Sequence, residues 1–110
     1  MNAPWLPKGF HTITPNIIVE DAEKAAEFFK EAFGASEKLG DSIFNLGTSM
    51  KGWPVHGLVA QIYVQDSDFL FNRAVQADAT VIMPMTDMFF GSREGRVADP
   101  FGNIWTIATL

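Results

Sequence analysis

The chain has 110 residues, 47% of them hydrophobic and 13% aromatic, and a formal net charge of −5. Its 8 Lys and Arg are scattered, so it carries no electrostatic footprint for nucleic acid. It has no cysteine, which excludes a disulfide framework, thiolate zinc sites and a Cys nucleophile. No run approaches the roughly 20 apolar residues of a membrane span, and the length predicts a single domain over residues 1–110. The cysteine-free composition fits a cytoplasmic protein.

Residues 1–9, with Pro4 and Pro7 and no apolar stretch, read as an extended arm rather than a signal peptide. A strand is predicted over 11–19, followed by Asp21 as a helix N-cap. Ala22, Ala25, Ala26, Phe29, Ala32 and Phe33 recur at helical spacing, with Gly34 as the stop. Glu23, Lys24, Glu27, Lys30 and Glu31 fill the solvated face. A short strand follows at 42–47, bracketed by Gly40 and Gly47, then a turn at Gly52-Trp53-Pro54. Residues 57–64 form the second long strand. Asp66 caps a second helix whose buried set is Phe71, Ala74, Val75 and Ala77. Strands are predicted at 79–84 and 93–98. The turn chemistry of Asp99-Pro100-Phe101-Gly102 joins the latter as a hairpin to a closing strand at 103–109.

One element is written twice. Asn16-Ile17-Ile18-Val19-Glu20-Asp21 and Gln61-Ile62-Tyr63-Val64-Gln65-Asp66 both lead into helices and stand 45 residues apart. Two modules result, about 10–56 and 57–110. The second reads β-α-β-β-β and the first only β-α plus one strand. Such pairs pack about a pseudo-twofold axis, and the cleft between them is the natural place for function.

The segments Thr14-Pro15, Val19-Glu20-Asp21 and Phe28-Phe29-Lys30-Glu31-Ala32-Phe33-Gly34-Ala35 resemble the opening of glyoxalase/bleomycin-resistance proteins of the vicinal oxygen chelate superfamily. In the second half, Tyr63-Val64-Gln65-Asp66, Met83-Pro84-Met85-Thr86-Asp87-Met88-Phe89-Phe90-Gly91 and Gly95-Arg96-Val97-Ala98-Asp99-Pro100-Phe101-Gly102-Asn103 are similar to its phosphonate-operon B-like (PhnB-like) branch. The resemblance covers roughly residues 10–38 and 57–109. It implies an α+β fold of two βαβββ-type modules, forming curved mixed sheets around a cavity with helices on the outer face, commonly as homodimers. Two strands that the family places between the first helix and the strand at 42–47 look missing, so the first module is expected to be truncated. The cavity wall would then be open or completed by a second subunit.

The resemblance also implies where metal ligands would fall. The usual His positions are occupied by Thr14 and Val59, and the Glu four residues after Gly102 by Thr106. The remaining position lies near Asn45 or Leu46. Valine cannot bind a divalent ion, and two threonines offer only weak neutral oxygens. His11 and His56 also stand 45 apart, but an odd offset from Thr14 and Val59 puts them on the opposite strand face. No metal or cofactor is therefore expected.

Strand parity then defines a wall. Thr14, Asn16, Ile18, Val59, Gln61, Tyr63, Ile104, Thr106 and Ala108 face the cavity, while Ile13, Ile17, Val19, Leu58, Ala60, Ile62, Val64, Trp105 and Ile107 face the helices. The cavity set mixes apolar groups with uncharged polar ones and has no carboxylate; the same polar groups could instead bond one another across the sheet. Met83, Met85, Met88, Phe89 and Phe90 form an adaptable apolar cluster suited to a pocket, an interface or plain core. Trp53 would cover the cavity or pack on a partner. Gly91, Gly95 and Gly102 read as turn glycines, Arg93 and Glu94 as a surface ion pair, and Asp66, Asp68 and Asp87 as exposed cap or turn positions.

The favoured function is metal-independent binding of a small, largely uncharged or hydrophobic organic ligand in the inter-module or inter-subunit cavity. Its lining would be Thr14, Asn16, Trp53, Val59, Gln61, Tyr63, Phe89, Phe90 and Thr106, in a homodimer with neither nucleic-acid nor membrane partners. No catalytic residue is assigned. One alternative is a metal-dependent lyase, isomerase or dioxygenase of the same superfamily with a non-standard site around His11 and His56. The other is a small homodimeric interaction domain with a filled cleft.

Overall fold

The computed structural model describes residues 5–36 and 38–110; the first four residues of the predicted N-terminal arm, 1–4, lie outside them. The first module contains β1 (Asn16–Val19), α1 (Ala22–Phe33), β2 (Lys38–Leu39), β3 (Ser42–Ile43) and β4 (Asn45–Thr48). The second contains β5 (Val59–Tyr63), α2 (Ser67–Gln76), β6 (Thr80–Asp87), β7 (Arg93–Ala98) and β8 (Ile104–Thr109).

Both helices start where their capping chemistry dictates. The Asp21 carboxylate accepts from the backbone N–H groups of Glu23 and Lys24, and Asp66 accepts from that of Phe69. α1 ends at Gly34, whose φ of 68° is the left-handed conformation glycine adopts most cheaply. Its buried face is Ala25, Phe28, Phe29, Ala32 and Phe33, while Ala26 is exposed. α2 buries Ser67, Leu70, Phe71 and Ala74. Val75 and Ala77 lie more open than the periodicity suggested, because the buried stripe runs through Leu70 and Ala74, one turn apart.

The repeat extends to single hydrogen bonds. The N–H of Ala22, first residue of α1, donates to the Thr48 hydroxyl at the end of β4 over 3.1 Å. The N–H of Ser67, first residue of α2, donates likewise to Thr109 at the end of β8 over 3.0 Å. β1 runs parallel to β4, and β5 parallel to β8. The helices start 45 residues apart but the two threonines stand 61 apart, so the first module is 16 residues shorter between helix and last strand. That shortening falls on β2 and β3, which are two residues each and pair only with one another. The strands that looked missing are thus present as stubs, while the second module keeps a full sheet in the order β5-β8-β7-β6.

Proline sets one strand boundary and is absorbed within another strand. β1 begins at Asn16 rather than residue 11 because Pro15, just before it, has no N–H to give to a ladder. β6 continues through Pro84 to Asp87, beyond the predicted end at 84. It is an edge strand, and its register shifts on both sides of Met83, which accommodates the missing donor.

The modules share one aromatic core. Phe29 and Phe33 of α1 pack edge-on against Trp105 of β8, with ring centroids 5.6 and 5.2 Å apart. Phe28 meets Phe101 at 5.9 Å, and Phe29 meets Phe44 at 5.7 Å. Such pairs add to the apolar area that each ring buries. α2 lies directly on β7: a Cβ on Gly95 would stand 2.7 Å from the Phe71 ring and 2.8 Å from the Met85 sulfur. Gly95 is therefore a strand glycine placed for close packing, not a turn residue. Arg73 of α2 ties the helices together, donating from Nε to the Glu31 carbonyl and from Nη2 to the Lys30 carbonyl.

The turn after β7 is built around Asp99, 6% exposed. Its carboxylate accepts from the backbone N–H groups of Phe101 and Asn103, from the Asn103 side chain and from the Trp105 indole, each over 2.9 Å. Asn103 in turn accepts from the Leu58 N–H, linking β5 to the turn. The result is an α+β fold whose sheets do not close into a barrel. The molecule measures 42 × 39 × 22 Å with a radius of gyration of 15.0 Å, above the roughly 13 Å usual for this length; the sheets stay open.

Candidate functional site

The register of the second sheet places every side chain on one of two faces. Ile62, Val97, Trp105 and Ile107 are buried under the helices, as the parity of β5 and β8 predicts. Residues directly opposite one another share a face, so the other face carries three rows. The first is Thr80, Ala98, Ile104 and Val59; the second Met83, Arg96, Thr106 and Gln61; the third Thr86, Glu94, Ala108 and Tyr63. This face is most open along the edge strand β5, where Val59 is 74% and Tyr63 64% exposed, while Thr106 and Ala108 are buried.

Two charged residues lie on this helix-free face: Glu94, expected as a surface ion-pair partner of Arg93, and Arg96, for which the sequence suggested no role. Glu94 and Arg96 stand opposite Ala108 and Thr106. Their place follows from the alternation of β8 continued across the hairpin to β7. Glu94 is 6% exposed, and its carboxylate accepts from the Ser92 hydroxyl. Half-buried Arg96 donates from Nε to the Thr106 hydroxyl over 3.2 Å. Glu94 does not pair with Arg93, its neighbour in the strand, because adjacent side chains point to opposite faces. Arg93 instead grips Asp68 through two nitrogens, at 2.9 and 3.0 Å, and reaches Asp87 at 3.2 Å. Asp68 and Asp87 are thus ion-pair partners rather than merely cap or turn residues. The Arg93 hydrogen bonds hold the Asp68 carboxyl below the usual carboxylate range, and bonds to Asp68, then Asp87, push the guanidinium higher still.

A cleft of about 520 Å³ opens where the modules meet. One wall is the β2–β3 hairpin with Leu39, Ile43 and Phe44. The other is β5 with Leu58, Ala60 and Val64; Phe33, Leu70 and Trp105 are also among its lining. The lining is mainly apolar, and the volume is within the range of small-molecule sites. Of the nine anticipated ligand residues, Gln61 and Tyr63 border this cleft, and the Gln61 amide donates to the Tyr63 hydroxyl over 3.0 Å. Val59 and Thr106 lie on the helix-free face instead. Thr14 borders a smaller recess of about 240 Å³ with His11 and Ser42. Asn16 is exposed at the start of β1. Trp53 sits in a tight turn whose backbone is doubly bonded to Met50. Phe89 and Phe90 stack edge-on at the tip of the β6–β7 hairpin, 98% and 56% exposed.

The residues at the family's metal positions do not fit a metal. The modules' equivalence places Asn45, opposite Asn16 in the ladder, at the position matching Thr106, opposite Gln61. Thr14, Asn45, Val59 and Thr106 then offer no imidazole and no carboxylate, and the Thr106 oxygen already accepts from a guanidinium. Among the described residues, no three His, Asp or Glu side chains come together to hold an ion. His11 and His56 both lie outside the named strands, so strand parity does not place them; the backbone of His56 bridges to Ile18, and its Nδ1 lies 3.1 Å from the Gly57 carbonyl. No helix of the described residues is long and apolar enough to cross a membrane.

Comparison with known proteins agrees with this architecture. A gene product of Arabidopsis thaliana is 26% identical with a TM-score of 0.73, covering 88% of this chain and 95% of its own. TioX from Micromonospora sp. ML1 shows a TM-score of 0.75 at 19% identity, over 91% of this chain and 96% of that one. A glyoxalase-related enzyme from Fulvimarina pelagi gives 0.68 at 23% identity, over 91% and 89%. In sequence, an uncharacterized protein of Mycobacterium tuberculosis H37Rv is 31% identical over 122 aligned positions, spanning 86% of this chain and 72% of the relative. That alignment exceeds the 110 residues of this chain, so the mycobacterial protein carries residues that this one lacks. Residues 45–107 match the profile described as the Glyoxalase/Bleomycin resistance protein/Dioxygenase superfamily. The chain belongs to that superfamily.

Proposed function

We propose that the protein binds a small, largely uncharged and hydrophobic organic molecule in the cleft between its modules, without a metal. The observation that carries this is the cleft itself: about 520 Å³, walled by side chains of both modules, with the Gln61–Tyr63 pair at its edge to orient a polar atom. The absence of any imidazole or carboxylate from the family's metal positions supports binding over metal-assisted turnover. The chain acts as one domain, in the cytoplasm, as a homodimer. The dimer rests on exposed Val59, Tyr63, Phe89 and Phe90, and on a first sheet reduced to β1 and β4.

Native mass spectrometry of freshly purified protein, with elemental analysis of the same sample, tests this. The expected result is a dimer that carries a small organic mass and no stoichiometric transition metal, with the organic mass lost in Ala60→Phe, which fills the cleft. A stoichiometric metal would overturn the proposal, as would an organic mass retained in full by the variant.

A further inference from the structure

The charged residues of the helix-free face are not used by the inter-module cleft. Arg96 stands in the middle of that face, between Met83 on β6 and Thr106 on β8, with Gln61 next across on β5. Its Nε is fixed on the Thr106 hydroxyl, and no carboxylate lies within 4.0 Å of it among the described residues. Glu94 is the acid nearest in the strand, but its carboxylate is committed to the Ser92 hydroxyl on the side away from Arg96. In a chain of net charge −5, this leaves a half-buried guanidinium held in position with its two Nη groups unpartnered among the described residues.

We infer that Arg96, with Thr106 and Gln61, forms a binding site for the acidic head of a small organic monoanion, a carboxylate in the first instance. A guanidinium fork matches a planar carboxylate through two parallel hydrogen bonds. The Gln61 amide stands at the far end of the same row and can donate to the same ligand. Toward β8 and β5 the flanking rows are apolar or small, with Ile104 and Val59 on one side and Ala108 and the Tyr63 ring on the other; Glu94 on β7 and Thr80 and Thr86 on β6 lie at their far ends. Strands about 4.8 Å apart give this polar row a span matched to an acid carrying one or two rings. A monoanion is preferred to a dianion because a single guanidinium supplies the charge and Glu94 lies two residues away on the same face. Where a metal-dependent relative would set an ion, this chain sets an organic cation. The site lies on the face of β5 and β8 opposite Trp105 and shares only Gln61 and Tyr63 with the border of the cleft; Arg96 and Thr106, which lie outside the cleft, tell the two apart.

Amide-resolved NMR titration of the full chain with benzoate, and in parallel with neutral benzamide, tests the inference. Benzoate is expected to shift the signals of residues 61, 96 and 106 saturably and to bind about tenfold or more tightly than benzamide. Arg96→Gln keeps a donor for Thr106 and is expected to bring benzoate down to the benzamide level; Arg96→Lys retains part of the preference. Equal binding of the two probes by the wild-type chain would overturn the inference without any variant, as would full benzoate binding by Arg96→Gln in a chain whose spectrum shows it folded. Shifts at Leu39, Phe44 and Ala60 report the cleft instead, so failure there is read separately.

Discussion

Replacing Asp99 by Ala is expected to be among the most destabilising single changes in this chain. Four donors converge on its carboxylate, and three of them are in buried bonds: the backbone N–H and side-chain amide of Asn103, and the indole N–H of Trp105. A buried donor left without a partner costs about 1–3 kcal/mol. Three of them set an upper sum of roughly 9 kcal/mol, and water entering the space left by the carboxylate brings the expected loss to about 3–5 kcal/mol. A domain of this length has roughly 5–16 kcal/mol in total. Asp99→Asn separates the contributions. One side-chain oxygen still serves the two backbone N–H groups, but the new amide faces the Asn103 amide and the indole, donor against donor. Asn103 cannot turn over to relieve this without giving up the Leu58 N–H that it accepts. Asp99→Asn is therefore expected to lose about 2–4 kcal/mol. Urea unfolding followed by tryptophan fluorescence measures both, with an unchanged slope showing that the same surface unfolds. A loss below about 1 kcal/mol for Asp99→Ala would refute the reasoning.

Gly95→Ala drives a methyl into the Phe71 ring and the Met85 sulfur; a loss of about 1–3 kcal/mol from overpacking is expected in the same urea assay. Arg73→Ala removes the bonds to the Glu31 and Lys30 carbonyls and should lower stability by about 1–2 kcal/mol, while Arg73→Lys should restore only part of it. The Asp68 carboxyl, lowered by its bonds from Arg93, gives a signed pH effect. Its contribution is complete above the unfolded carboxylate pKa of about 3.9 and is lost as pH falls through the lower folded value. Asp68→Asn should therefore narrow the stability difference from wild type as the pH drops through that window, and parallel pH profiles for the two proteins would contradict the assignment.

Much of the second module was legible in the sequence because local chemistry and periodicity agree there. Asp66 caps where it should, the turn at Asp99 joins the hairpin as predicted, and β7 keeps the predicted bounds of 93–98. The first module was harder. β2 and β3 are two residues each, too short for alternation to register, and residues 42–47 read as one strand although the ladder breaks at Phe44. Pro15 was the available signal that β1 starts late. At the site, β5 parity placed Val59, Gln61 and Tyr63 on one face correctly but could not show that an apolar cleft opens toward the alternate residues, Leu58 and Ala60. That depends on where the β2–β3 hairpin folds. Glu94 and Arg96 were recoverable: pairing 93–98 with 104–109 across the turn sets them opposite Ala108 and Thr106. Phe89 and Phe90 looked like cleft residues by composition alone, and only the length of the β6–β7 hairpin carries them to its tip.

The most direct measurement is an amide-resolved NMR titration of the wild-type chain and of Ala60→Phe with indole, a neutral apolar probe. Metal-free binding between the modules predicts saturable shifts at Leu39, Phe44, Ala60 and Trp105 in the wild type and their loss in the variant. Shifts confined to the helix-free face, or undiminished in Ala60→Phe, would contradict it.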